Sequence, residues 1–251
     1  MFNFKYGLAA SVLALLVPVA LAKNLAGFDT QAALKTVDAY RSEASSVKIS
    51  STVRAYKDDE LTHTKYYDVY SNSNKQSLVV FKSTSEKGQK VLMKGNDYWM
   101  FMPRSRRPIR ITPMQKLLGE ASLGDISTLS WSQDYSVEQL IDKGADWSFE
   151  LKANSPKMSY QKILLSVSKG DFFPKKAKLF LRSGKHAKTA TFERGERNGK
   201  HKVIAMALFD EMKQGQKTVI AYDHIQPIQV PGKLFNPQIL IRSDLDKLLT
   251  E

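Results

Sequence analysis

A mainly β fold, an antiparallel barrel or strongly curved sheet of ten or eleven strands with few helices, is what this chain of 251 residues predicts. Three observations carry the prediction. Stretches such as "VKISSTVRAY" (47–56) alternate Val47, Ile49 and Val53 against Lys48, Ser50, Thr52 and Arg54, the period of a half-buried strand. Similar stretches recur at short intervals, among them "HTKYYDVYS", "QSLVVFKST", "KVLMKG", "DYWMFMP", "DWSFELKA", "QKILLSVS", "KKAKLFLRS", "KTATFERGE", "HKVIAMALFDEM" and "KTVIAYDHIQ". Turn signals separate them: Ser71-Asn72-Ser73-Asn74, Lys94-Gly95-Asn96, Asn198-Gly199 and Gln214-Gly215. A single sheet of that many strands must curl to bury its apolar face.

The elements follow in order. Residues 1–22 read as a cleavable export signal: Lys5 leads the apolar run "GLAASVLALLVPVALA", Pro18 breaks it, and Ala20-Leu21-Ala22 is an A-x-A-like cleavage site. Cleavage at Ala22–Lys23 leaves 23–251 as a single domain starting KNLAGFD, and the expected compartment is the periplasm. In "DTQAALKTVDAYRSEA", Asp29 or Thr30 caps a helix of about three turns whose apolar face is Ala33, Leu34, Val37 and Tyr40. The strands follow. Residues 114–142 are the least strand-like part of the mature chain, with Met114, Leu117 and Leu118 at helical spacing and glycines at 119 and 124. "RSDLDKLLTE" ends the chain as a helical turn or two.

There is no cysteine, so an exported form stands on core burial alone and carries no lipid attached at its cleavage site. The net charge of +13 favours anionic partners. An exported protein rarely meets nucleic acid, which leaves membrane surfaces and acidic proteins. Chemistry is sparse. His63, His186, His201 and His224 are isolated, with no spacing that clasps a metal, and the nucleophile elbow, P-loop and dinucleotide fingerprints are missing. Asp58-Asp59-Glu60 reads as a solvated hairpin turn, and Asp125 and Asp134 as salt-bridge partners for nearby arginines. The expectation is a protein that is not an enzyme and needs no cofactor.

The most specific stretch is "GNDYWMFMPRSRRPIRITPMQKLLGEASLGDI", followed by "SWSQDYSVE". An apolar strand meets a proline and then four arginines within seven residues. It resembles the larger exported relatives of the outer-membrane lipoprotein-sorting proteins, the LolA-like family. The matching positions are Trp99, Phe101 and Pro103; Arg104, Arg106, Arg107 and Arg110; then Gly119, Gly124 and Asp125. "GQKTVIAYDHIQPIQVPGKLFNPQIL" resembles the family's closing strand pair, with Phe235 and Leu240 in its final motif.

The resemblance implies an incomplete antiparallel β-barrel of about eleven strands wrapping an apolar cavity, with an N-terminal helix and a short helical lid. It implies a periplasmic carrier for the acyl chains of a lipoprotein or lipid, working with an inner-membrane transporter or exporter. The candidate lining is Trp99, Phe101, Phe81, Met93, Leu117 and Leu118, with Trp99 and Phe101 as the inward pair of their strand. Acyl chains gain about 0.8 kcal/mol per buried methylene, so carriage needs such a lining. Arg104, Arg106, Arg107 and Arg110 would hold an anionic headgroup or dock a partner or an anionic membrane surface. The bland readings are ordinary core for the aromatics, a solvated loop for the arginines and a static plug for 114–118. A non-carrying docking module of an exporter is the other functional class.

Overall fold

The computed structural model describes residues 28–42, 46–126, 130–242 and 245–250. The expected signal segment lies outside the described residues. Helix α1 (Thr30–Arg41) starts at Asp29, whose carboxylate accepts from the Ala32 N–H at 2.9 Å. Its buried stripe is Ala33, Leu34 and Val37.

The strands are β1 (Val47–Lys57), β2 (Glu60–Ser71), β3 (Gln76–Phe81), β4 (Lys90–Lys94), β5 (Asp97–Phe101) and β6 (Ile109–Ile111). A small ribbon follows, β7 (Lys116–Leu118) and β8 (Ala121–Ser122), with two one-turn helices, α2 (Leu123–Ile126) and α3 (Trp131–Asp134). Then come β9 (Tyr135–Lys143), β10 (Asp146–Ala153), β11 (Lys162–Ser168), β12 (Pro174–Phe180), β13 (His186–Arg197), β14 (Lys200–Asp210) and β15 (Gln216–Pro227). A 3₁₀ turn (Gly232–Phe235), α4 (Pro237–Arg242) and α5 (Leu245–Thr250) complete the chain.

Among the described residues thirteen strands form one antiparallel sheet, in the order β6-β5-β4-β3-β2-β1-β15-β14-β13-β12-β11-β10-β9. Two meanders are joined because β15 returns to pair with β1 along its whole length. β6 and β9 end the ladder without meeting, so the sheet is an unclosed barrel. Asp58 and Asp59, both with positive φ, make the β1–β2 turn, as their acidic loop character suggested.

Every strand of the large sheet sends apolar side chains to one cluster, from Val47, Val53 and Tyr67 through Phe149, Leu165 and Leu208 to Ile220. α1, the β7–β8 ribbon, α2 and α3 cover it with Leu34, Val37, Leu117, Leu118, Leu123 and Trp131. A second, smaller cluster lies on the opposite face of β2–β5, where Tyr70, Leu78, Val80, Leu92 and Phe101 are roofed by Val230, Leu234, Phe235, Leu240 and Leu248.

Three expectations need correction. Residues 114–118 are not a helix: Pro113 and Gly119 bound a segment too short to nucleate one, and Lys116–Leu118 pairs with β8. The stretch 114–142 also holds a nine-residue strand, β9, at the sheet edge. The closing strand pair is one strand, β15; prolines 227, 231 and 237 deny a second ladder its donors. Pro237 instead opens α4 at its first position, where Asn236 caps it by accepting from Gln238 N–H at 2.9 Å.

α1 is tied to the β11–β12 and β13 region through one cluster. The Tyr40 hydroxyl donates to the Asp171 carbonyl (2.9 Å), the Tyr40 ring meets Phe173 edge-on, and Arg194 lies over Phe173 while pairing with the Asp171 carboxylate at 2.6 Å. The Arg194 hydrogen bond holds the Asp171 pKa down, from 3.8 to about 2. A depressed carboxylate stabilises the fold above its unfolded value and loses that contribution as pH falls through its folded value. The pair is half exposed, so its share is at most about 1 kcal/mol. Arg194→Gln should therefore flatten the fall in melting temperature between pH 3.8 and about 2; parallel curves for the variant and the natural protein would refute the assignment.

Candidate functional site

The apolar concave face and its cover make the candidate site. The cover is fastened by polar contacts that the strands alone do not predict. Asp125 of α2 is buried and accepts from Ser122 N–H (2.8 Å), Ser122 Oγ (2.7 Å) and the Tyr160 hydroxyl (2.8 Å). Lys188 of β13 donates to the same carboxylate at 2.7 Å and to the Glu120 carbonyl, with side-chain exposures of 6% for Lys188 and 2% for Asp125. Burial and the Asp125 charge push the Tyr160 pKa up, which keeps its hydroxyl a donor.

The second fastening joins α1 to α3. Asp38 accepts from Trp131 N–H (3.0 Å), Ser132 N–H (2.8 Å) and Ser130 Oγ (3.0 Å), acting as a cap supplied by another helix. Arg41, one turn on, lies 3.7 Å from the Trp131 ring centre. The ribbon turn presses on the sheet at Gly119, where φ is +52° and a Cβ would sit 2.5 Å from Thr218 Oγ1 and 2.9 Å from Ala55 Cβ. Only glycine fits both demands. Thr218 Oγ1 then accepts from Glu120 N–H at 2.8 Å.

Under the cover a gap of about 30 Å³ remains, bordered by Trp131, Tyr160, Phe192 and Met206 with Arg41 and Asp125 at its edge. That is room for about two waters. Another space, about 430 Å³, lies at the open seam of the barrel, with Met93 and Tyr98 on one side and Gln133 and Met158 on the other. Lys75 and Asp134 bridge this seam at 2.7 Å.

The expected lining residues divide. Phe81, Met93, Leu117 and Leu118 belong to the concave cluster, and Met93 also borders the seam. Trp99 and Phe101 do not: they pack on the opposite face, beneath the C-terminal segment. Register decides this, since Met93 pairs with Tyr98 and Leu92 with Trp99, and paired residues share a face. Tyr98 and Met100 are the inward residues of β5. Asp125 and Asp134 do form ion pairs, but with the distant lysines 188 and 75 rather than with the neighbouring arginines.

Arg104, Arg106 and Arg107 are exposed in the β5–β6 connection, and Arg110 sits on β6, paired with Asp97. Arg104 has φ +63°, and Ser105 Oγ ties the loop to Arg107 by donating to its carbonyl at 2.9 Å. Exposed Met102, Ile109 and Met114 flank the arginines. Lys188 was missed at the level of sequence, although it stands in phase with Ala190 and Phe192, a lysine on a core face.

An unclosed antiparallel sheet with a concave face under a small helical cover is a fold this chain shares with solved structures of the LolA superfamily, and the chain belongs to the family whose model spans residues 73–242. The family model that matches, over residues 73–242, is described as an uncharacterized protein. A LolA superfamily protein from Nitrosomonas europaea is 29% identical, with a TM-score of 0.75 over 82% of this chain and 96% of that one. A domain described as outer-membrane lipoprotein-sorting from Vibrio parahaemolyticus is 17% identical, with a TM-score of 0.69 over 84% and 98% of the two chains. A DUF1329 family protein from Desulfovibrio piger has a TM-score of 0.67 at 17% identity, over 84% and 98%. No curated protein matches in sequence. Among the described residues no helix is long and apolar enough to cross a membrane.

Proposed function

We propose that this protein is a periplasmic carrier that takes the acyl chains of a lipoprotein or lipid beneath its cover and moves them between the inner and outer membranes. The observation that supports it is a small separate roof over a largely apolar concave face. The roof meets that face through Leu117, Leu118, Leu123 and Trp131; Lys188–Asp125 and Glu120–Thr218 pin it to the sheet, and Asp38 ties α1 to α3 within it. The gap of about 30 Å³ beneath it is too small for an acyl chain, so loading displaces the cover. Phe81, Met93, Leu117 and Leu118 then line the opened space, with Tyr98 and Met93 at its seam.

The arginine loop is proposed to dock the carrier on an inner-membrane transporter or on an anionic membrane surface. Three exposed guanidinium groups beside exposed Met102, Ile109 and Met114 favour a surface that is both acidic and partly apolar. Basic residues near such a surface contribute about 1 kcal/mol each, weakened by salt.

Mass spectrometry of an organic extract from natively purified protein tests the carrier reading, with lipid or lipoprotein acyl chains expected at near-stoichiometric amounts. An extract free of lipid favours the non-carrying docking module. Changing Arg104, Arg106 and Arg107 together to Gln should leave folding and bound lipid unchanged while weakening attachment to anionic vesicles by about 3 kcal/mol at low salt. Unaltered vesicle attachment and unaltered delivery would reduce the loop to solvated surface.

A further inference from the structure

We infer that the basic depression between α1 and the β13–β14 hairpin is a second binding site, for the phosphate-bearing headgroup of an anionic lipid. The inference rests on the carrier reading, which supplies the acyl half of the same ligand. The depression measures about 550 Å³, within the range of small-molecule sites. Three elements bring four cations to its wall: Lys35 from α1, Arg197 from β13, and Lys200 and Lys202 from β14. Ser42, Ser130, Ser132 and Asn198 add neutral hydrogen-bonding groups.

Hairpin register sorts the charges. Arg197 pairs with Lys200, and Gly195 with Lys202, so the cations of both strands share one face; Glu196 pairs with His201 on the other. Among the described lining residues the carboxylate is Asp38, which accepts from the Trp131 and Ser132 N–H groups. Lys202 is held in place by donating to the Ala39 and Ser42 carbonyls at 2.9 and 3.2 Å, which fixes its charge at the C-terminal end of α1.

Position argues for a lipid phosphate over a free one. The basic depression and the seam share Asp38, Ser42, Ser130 and Gln133, so they meet at the α1–α3 junction. A ligand with an anionic head and an acyl tail fits across that junction, its head among the cations and its tail entering at the seam toward Met93 and Tyr98. Displacing α3 to load the tail would then occur at the point where the head is held.

Calorimetric titration with three probes tests the site: water-soluble dioctanoyl phosphatidylglycerol, dioctanoyl phosphatidylcholine and inorganic phosphate. The natural protein should bind the glycerol lipid at least roughly tenfold more tightly than the choline lipid. The variant Lys35→Gln/Arg197→Gln/Lys200→Gln, which leaves Lys202 in place, should lose that preference with its choline-lipid affinity and melting temperature unchanged. Equal affinity for the two lipids in the natural protein, or a preference that survives the triple change, overturns the headgroup site and leaves the carrier standing. Inorganic phosphate binding as tightly as the glycerol lipid, with the same sensitivity to the variant, overturns the lipid assignment in favour of a simple anion site. Failure of both lipids to bind overturns the carrier reading itself, and the inference with it.

Discussion

Asp125→Ala should destabilise the protein by about 3–5 kcal/mol, because it strands the Lys188 ammonium in an apolar interior. The magnitude follows from geometry. Lys188 is almost fully enclosed, the Asp125 carboxylate is its charged partner at 2.7 Å, and the Glu120 carbonyl supplies the other contact. The loss also frees Ser122 and Tyr160 from the same carboxylate. Replacing both charges together, Asp125→Leu with Lys188→Met, should recover most of that stability, since an ion pair exchanged for apolar groups of similar size is often neutral or better. Denaturant unfolding of the singles and the double measures the coupling. A single change that costs under about 1 kcal/mol would mean that the pair is effectively solvated. Under the carrier reading the two variants also part in function: the single loosens the cover and speeds lipid exchange, and the double, with its apolar seal, slows it.

The second large effect is expected away from the concave face. Phe101→Ala should cost about 3–5 kcal/mol and release the C-terminal segment, with no loss of bound acyl chain. Phe101 packs with Leu92 and Leu78 under Leu234, Phe235 and Leu240, a cluster with its back to the cover. Lys90, next to it in the ladder, donates to the Leu240 carbonyl at 3.5 Å, the edge of hydrogen-bonding range. Limited proteolysis should then cut within residues 228–250 while the remaining strands stay protected. Protection of that segment in the variant, or depletion of lipid at unchanged stability, would place Phe101 back among the lining residues.

This reversal of β5 shows where sequence reasoning stops. Along "DYWMF" and its neighbours "SLVVF" and "VLM", both strand faces are apolar, so a period of two names two sets of residues without saying which set faces in. What covers the outer set is the segment after β15, more than 120 residues away in the chain. The same limit explains the segment 114–118. Two adjacent leucines between a proline and a glycine fit a helix or a short strand equally, and the choice falls to Thr218 and Ala55, which approach Gly119 too closely for any other residue.

Other features were legible because local chemistry settles them. Alternation with turn residues marks eleven of the sheet's strands, and Asp29 with Ala33, Leu34 and Val37 marks α1. The β5–β6 hairpin could not present its arginines anywhere but at the surface, given two prolines that deny it ladder hydrogen bonds. The sequence by itself thus determined a curved antiparallel sheet, its first helix and the basic loop, all products of spacing within one stretch of chain. Only the tertiary structure decided the order in which β15 joins the two meanders, the inward face of β5, and the pairing of Asp125 with Lys188. Each of these depends on groups 60 or more residues apart meeting in a low-dielectric interior, where a lysine in phase with alanine and phenylalanine is stable only because one particular carboxylate is there to receive it.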